Sequence, residues 1–459
     1  MKKQKLNNDS IEIYELTERG LAKKVQMALL GIVFYLLEKK TFLTFNGKIF
    51  IREPTFLEKV VWSEIENLME GISLNANIID ETGKTVSYED LSKFCINSQK
   101  ASTVKAILTV LRSFPEMWAK EEDFDKDLES ICCLNGVVNL KNGQMQELNA
   151  SRRITQTCEV EYDHMATCPV FMEFLHKIFQ GSKELIAFIQ VLFGYVLTGE
   201  TSEQKIFFLM GFGSNGKSTL LKIILKILGM YSRTVAPSTF LFSDFHRIRN
   251  DLAPLEKKRI VAVSEINQGQ QADDAMIKQV TGGEEIVCRF LRHEEIVYTP
   301  RFKVLFATNN YPEIKGVDHG IKRRIMIIPF PVRIRKNEII KNLDKLLEAE
   351  KAGIFRWMVE GAQKWYASGL PECKEVEEAT CVFHQMKDPI QEFIDDCFNE
   401  DKNSKTPITA VHERYKIWAK DAGYKPEGII TLGNLMELKG FVRSRDSRNR
   451  YVNGIAIKN

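Results

Sequence analysis

Residues 205–219 read KIFFLMGFGSNGKST, and the helix-like run LLKIILKIL follows at once. An apolar, strand-like stretch thus breaks into a glycine loop and resumes as an amphipathic helix. Positions Gly211 to Ser218 fill GxxxxGK[ST], the pattern of a nucleoside triphosphate cradle. The residues Gly211, Gly213, Ser214, Asn215 and Gly216 let successive backbone N–H groups converge on phosphate oxygens. Lys217 is placed to meet the outer phosphates, Ser218 to hold magnesium, and Thr219 to close the set at the helix start. The loop says only that a nucleotide binds, because kinases, transporters, GTPases and motor ATPases all share it.

At 459 residues and 44% hydrophobic content the chain exceeds one ordinary core and predicts about two to four domains. Its 64 basic and 61 acidic residues leave a net +3, but the sign is unevenly placed. From residue 401 onward, 12 Lys and Arg face 6 Asp and Glu, a local +6. The nine cysteines carry no CxxC pair and no Cys/His cluster at zinc spacing, so they read as reduced core thiols. The basic start MKKQKLNNDS leads into no signal-type apolar stretch, and the run Met27–Leu37 is too short to span a bilayer. A soluble cytoplasmic protein with no membrane partner is expected.

Thr17–Leu37 reads as a capped helix, and FLTF-NG-KIFI at 42–51 as a hairpin, because Asn46 and Gly47 tolerate positive φ. Helical periodicity continues through 55–120, and the acidic stretch Glu121–Glu129 marks an exposed boundary. CCLNGVVNL and QMQEL, either side of Lys141-Asn142-Gly143, form a second strand pair. Two helices broken at Gly181-Ser182 fill the interval from Pro169 to Leu197. Beyond the loop, strand-like runs at 259–265, 285–300, 303–309 and 324–330 alternate with helices or loops, which predicts an α/β nucleotide-binding core. The helical stretch Glu338–Leu370 and the polar DKNSKTP at 401–407 separate that core from a small terminal unit.

A motor ATPase needs an acid at a strand end, a polar γ-phosphate sensor, an arginine finger and a contact to its track. Glu265 closes RIVAVSE and is the candidate acid for magnesium and water; Ser264 precedes it, so one carboxylate serves both tasks. Asn309 ends the next apolar strand, with Asn310 beside it as the alternative amide. In GIKRRIMIIPF, Arg324 is the candidate finger and Arg323 its neighbour. Between acid and sensor, two β-branched runs flank Leu291-Arg292-His293-Glu294, a hairpin with a basic tip. In a ring such a tip points into the channel and grips nucleic acid phosphates, with Lys278, Arg289, Arg292 and His293 as the contacts.

The ordered set GFGSNGKS, VAVSE, KQVTGGEEIVCRFL, FATNNYP and GIKRRIMIIPF resembles the phage and plasmid primase-helicase family, the poxvirus-like branch of superfamily 3 helicases within the AAA+ ATPases. LNGVVNLKNGQ, CPVFMEFL and LFGYVLTGE extend the likeness upstream. The resemblance implies a hexameric ring that hydrolyses ATP with Mg2+ between subunits and tracks along single-stranded or forked DNA, usually 3′ to 5′, for a phage, plasmid or other mobile element. Carried over by position, Lys217 and Ser218 serve ATP and magnesium, Glu265 is the Walker B acid, Asn309 the sensor and Arg324 the finger. The first 120 or so residues are short for a catalytic primase domain and show no acidic triad with a histidine or zinc site, so priming falls to a separate primase or polymerase.

After residue 389, three helical patterns lead to FVRSRDSRNRYVNGIAI, a strand, a basic loop and a strand, which is the shape of a winged helix. Arg443, Arg445, Arg448 and Arg450 alternate along the wing, and TLGNLMELKG is its recognition helix. The expected organisation is multidomain α/β: an α+β accessory domain at 1–120, a pre-helicase collar at 121–199, the AAA+ core at 200–335, a helical linker at 336–388 and the winged helix at 389–459. A replicative DNA helicase is the favoured function. Its alternative is an origin-binding AAA+ initiator that assembles with ATP and leaves unwinding to another protein.

Overall fold

Four short apolar runs and the polar edge strand Ser232–Val235 line up as one parallel sheet, and the elements around it follow in order. Helices α1 (Pro169–Ile178) and α2 (Lys183–Leu197) precede β1 (Ile206–Met210) and α3 (Lys217–Leu228). Then come β2 (Ser232–Val235), β3 (Ile260–Val263), α4 (Asp274–Gly282), the hairpin β4 (Ile286–Arg289) and β5 (Glu295–Tyr298), β6 (Lys303–Thr308) and β7 (Ile325–Pro329). The sheet order is β2-β3-β6-β1-β7, every neighbour parallel. Strand β1 is buried along its whole length, as a strand covered on both faces must be. Phe208 and Phe306 stack across β1 and β6 at 4.6 Å.

This computed structural model describes residues 12–13, 15–73, 78–79, 84–242, 249–267, 270–291, 294–311, 313, 319–386, 389–422, 426–447 and 449–458. Contacts divide the chain into two units, Met1–His164 with Leu228–Tyr231, and Met165–Ile227 with Ser232–Asn459. No described helix is long and apolar enough to cross a membrane.

In the first unit Thr17 caps a helix, its Oγ1 accepting the Gly20 N–H at 3.1 Å. That helix ends at Leu29 and not at Leu37: Gly31 turns with φ +81, and the aromatic, β-branched run Val33–Leu36 leaves as a strand. The Asn46-Gly47 hairpin forms as expected, with Asn46 Oδ1 accepting the N–H groups of Lys48 and Ile49. CCLNGVVNL supplies two strands and not one, Ser130–Cys133 and Gly136–Asn139, to which Met145–Gln146 adds a third.

In the second unit α2 meets α5 (Lys351–Ser368) backbone to backbone. A Cβ on Gly194 would lie 2.0 Å from Ala362 N, and one on Gly361 would lie 2.0 Å from Gln190 O. Only glycine permits that approach. The C-terminus of α2 rests on two buried cations at strand starts: Lys303 Nζ donates to Thr198 O at 2.5 Å and Arg259 Nη1 to Leu197 O at 3.2 Å. Burial holds the Lys303 ammonium well below its ordinary pKa, and the helix-end carbonyls are the groups best suited to receive it.

After α6 (Lys374–Met386), the terminal segment runs α7 (Pro389–Cys397), β8 (Phe398–Pro407), α8 (Ile408–Asp421), α9 (Ile429–Leu438), β9 (Arg443–Arg445) and β10 (Arg450–Ile457). DKNSKTP is therefore no separator. It lies within β8, which pairs antiparallel with β10 across a register shift between Glu400 and Lys405, in a sheet of order β8-β10-β9. The three helices and the sheet close on one apolar cluster centred on Phe393, Val411, Leu432, Met436, Val452 and Ile455.

Candidate functional site

Parallel strands place their following loops at one sheet edge, and three of those loops build the site. The loop after β1 turns through positive φ at Gly213 (+85), Ser214 (+47) and Gly216 (+86). Alternation of this kind aims backbone N–H groups inward as an anion cradle. Two of its glycines are also sterically required. A Cβ at Gly216 would lie 2.6 Å from Ile178 Cγ2, and one at Gly211 would lie 2.2 Å from Asn215 Nδ2 and 2.5 Å from Phe330 O. Asn215 is buried, and its Nδ2 has no hydrogen-bond partner.

Lys217 opens α3 and is only 5% exposed. Its Nζ donates to Gly211 O and to Asn309 Oδ1, both at 2.8 Å. Asn309 Nδ2 in turn donates to Glu265 Oε1 at 2.7 Å. One polar chain thus joins the loop after β1, the end of β6 and the end of β3. Asn310 takes another path, its Nδ2 donating to Ile266 O at 3.0 Å. Ser214, Ser218 and Thr219 line the same cleft of about 620 Å³, which Thr234 of β2 and Ser264 complete.

The residues fit a magnesium nucleotide. The loop offers converging N–H groups, and the Ser218 hydroxyl with the Glu265 carboxylate forms the hard-oxygen set that magnesium takes. Bound there, the group supplies the phosphoanhydride and the metal charge that screens its outer oxygens. Burial pushes the Lys217 ammonium down to about 8, with Glu265 opposing the shift. Phosphate beside Nζ favours the charged form and raises that value again. Nucleotide binding is therefore expected to take up protons above about pH 8, with affinity falling as pH rises past that point. Calorimetry in two buffers of different ionisation enthalpy measures the uptake; none would remove Lys217 from the phosphates.

The remaining candidates lie elsewhere. Arg324 precedes β7, whose Ile325 pairs with Ile206 at the start of β1, so the arginine occupies the sheet edge opposite the phosphate loop. Its Nε donates to Thr281 Oγ1 at 3.0 Å and its Nη1 to Gly320 O at 2.6 Å, whereas Arg323 is exposed. Lys278 is half-buried on α4, and Arg289 stands opposite Glu295 in the β4–β5 hairpin. The outward face of that hairpin carries this pair together with Val287 and Val297, which stand directly opposite each other and are both exposed. Arg292, His293 and Arg448 fall outside the described residues. Arg443 pairs with Glu437 at 2.6 Å, and Arg445 stands opposite Arg450.

Two features escaped sequence reading. The Ile334 N–H, between Arg333 and Arg335, donates to Ser214 O at 2.7 Å, so the segment after β7 returns to brace the phosphate loop. Phe212, inside the loop motif, is 95% exposed at its rim. An aromatic side chain between the glycines was the available signal for the second; nothing local signals the first.

Residues 33–180 match the family model described as D5 N terminal like, and residues 385–444 match Poxvirus D5 protein-like. Residues 209–324, which hold the cleft, match a family of unknown function, DUF5906. Two D5-type family models thus match on either side of the stretch that holds the cleft. Similar proteins include L207/L206, a candidate helicase of Acanthamoeba polyphaga mimivirus, 27% identical over 293 residues that make up 59% of this chain and 30% of that one. Another is V13, a candidate helicase of Sputnik virophage, 27% identical over 229 residues, 46% of this chain and 29% of that one. The chain therefore spans less than a third of the length of these relatives. Its fold is similar to the apo structure of the NrS-1 C-terminal region (305–718), with a TM-score of 0.51 at 11% identity, covering 96% of this chain and 100% of that one.

Proposed function

We propose that the chain is an ATP-driven DNA helicase of the AAA+ superfamily 3 type, working as a ring at a replication origin or fork of a virus or other mobile element. The observation that carries this reading is the chain Lys217–Asn309–Glu265 at the edge where β1, β6 and β3 end. In it, Lys217 binds and orients the outer phosphates, and the Glu265 carboxylate polarises water. The Asn309 amide couples the two, with one donor on the acid and one acceptor on the lysine. Two further observations support a motor over a small-molecule kinase. Arg324 stands about 16 Å along β1 from the loop, by strand rise over five residues. That distance suits service to a neighbouring subunit's site. Second, Arg445 and Arg450 face each other across β9 and β10, a like-charge pair that costs stability unless an anion lies between them. The α7–β8–α8–α9–β9–β10 segment then serves as a winged helix holding DNA phosphates.

Forked duplexes carrying a 3′ or a 5′ tail test the reading directly. Displacement that requires ATP and the 3′ tail is the expected result. ATP turnover and DNA binding without displacement on either substrate would replace it with the origin-binding initiator. No ATP turnover with any DNA would overturn the helicase reading, and no ATP binding would overturn both.

A further inference from the structure

A second cavity, of about 850 Å³, opens in the same unit away from the phosphate loop, between the start of β7, helix α6 and the terminal segment. Its size is that of a small-ligand site, but its lining is cationic. Lys205, Lys322, Arg323 and Lys439 converge on it, with His384 beside them and Glu377 as the one carboxylate among the described lining residues. Four cations against one anion in a recess repel one another, and a bound anion relieves that repulsion. Burial lowers the pKa of Lys205, with Arg323 adding to the shift and Glu203 opposing it, and burial followed by Lys322 lowers that of His384. Lys205 Nζ donates to Arg323 O at 2.7 Å, which fixes the cavity floor at the first residue of the β7 entry.

We propose that this cavity holds the phosphodiester backbone of a single nucleic acid strand, between the ATPase core and the terminal segment. The inference rests on the DNA-helicase reading and adds a contact that the hairpin and wing do not include. Continuity of charge favours a strand over a small anion. Lys439 follows α9 and leads within six residues to Arg445, with Arg450 opposite, so cations continue from the cavity onto the wing past Arg443, which Glu437 holds. A duplex is too wide for a recess of this size, whereas one flexible backbone enters it.

Cys381 supplies a readout independent of hydrolysis. It lines the cavity and is exposed, whereas the other eight cysteines are buried and act as internal references. In the full chain, without nucleotide, N-ethylmaleimide modification of Cys381 is followed by mass spectrometry with and without oligothymidylate. At roughly ten times its Kd, measured separately by fluorescence anisotropy, the oligonucleotide is expected to slow modification about tenfold. Replacing Lys322 and Lys439 by glutamine is expected to flatten the log–log salt dependence of binding by about 0.7 for each charge removed. Oligonucleotide binding with unprotected Cys381, or an unchanged salt slope, would overturn the cavity assignment and leave the helicase reading intact. Protection by ADP or inorganic phosphate but not by oligothymidylate would overturn the nucleic-acid assignment in favour of a free phosphate ligand. Absence of any oligonucleotide binding would remove both readings together.

Discussion

Lys217→Ala is expected to lower ATP turnover at least about a hundredfold, the usual cost of losing one positioned donor at a developing charge. The same change should leave the fold intact. Lys217 Nζ is held by two uncharged acceptors, Gly211 O and Asn309 Oδ1, and reaches Glu265 only through the amide. It is also a buried ammonium whose pKa lies near 8, so the folded chain holds its charged form at a cost. The sign follows from linkage: the folded value is below the unfolded one, so wild-type stability rises with pH between about 8 and the ordinary lysine value. The variant should therefore melt at or above the wild-type temperature near neutral pH, with the difference shrinking at alkaline pH. Turnover close to wild type would remove the cleft as the catalytic site. Loss of cooperative melting would mean that the lysine holds the fold and would void the kinetic comparison.

The phosphate loop was legible because its requirements are local. Gly213 and Gly216 take positive φ, Gly211 and Gly216 have no room for a Cβ, and the strand and helix on either side are short-period patterns. Glu265 and Asn309 meet in the cleft for a related reason: each ends an apolar run, and parallel strands deliver such ends to one edge. What escaped reading depends on residues far apart in sequence. The α2–α5 contact needs Gly194 and Gly361 at once, and each alone looks like a weak helical glycine. Lys303 and Arg259 look like surface cations until the end of α2 is placed over them. DKNSKTP carries loop composition, yet β10 recruits it as a strand, tertiary pairing prevailing over propensity. Sequence does not separate Asn309 from Asn310, because both suit a strand end; in the fold Asn309 bonds Lys217 and Glu265, whereas Asn310 bonds the Ile266 carbonyl.

Arg324→Ala should leave nucleotide binding close to wild type and reduce turnover roughly a thousandfold, as loss of an arginine finger does. The two effects separate on the proposed reading, in which Arg324, standing at the sheet edge opposite its own phosphate loop, serves a neighbour's nucleotide. A merely structural role must be distinguished, since its guanidinium bonds Thr281 Oγ1 and Gly320 O. Mixing supplies the distinction. Lys217→Ala subunits carry an intact finger, and Arg324→Ala subunits carry an intact loop. In an equal random mixture, about a quarter of the junctions in a head-to-tail ring combine the two intact halves. Turnover should therefore reappear in the mixture although neither variant hydrolyses ATP alone. A structural defect local to the Arg324→Ala subunit cannot be repaired in that way, so an inactive mixture whose subunits still co-assemble would overturn the trans assignment. Arg323→Ala, tested in parallel, locates the finger within the pair: recovery only when Arg323 is the residue removed would move the role one position upstream, to the exposed side chain.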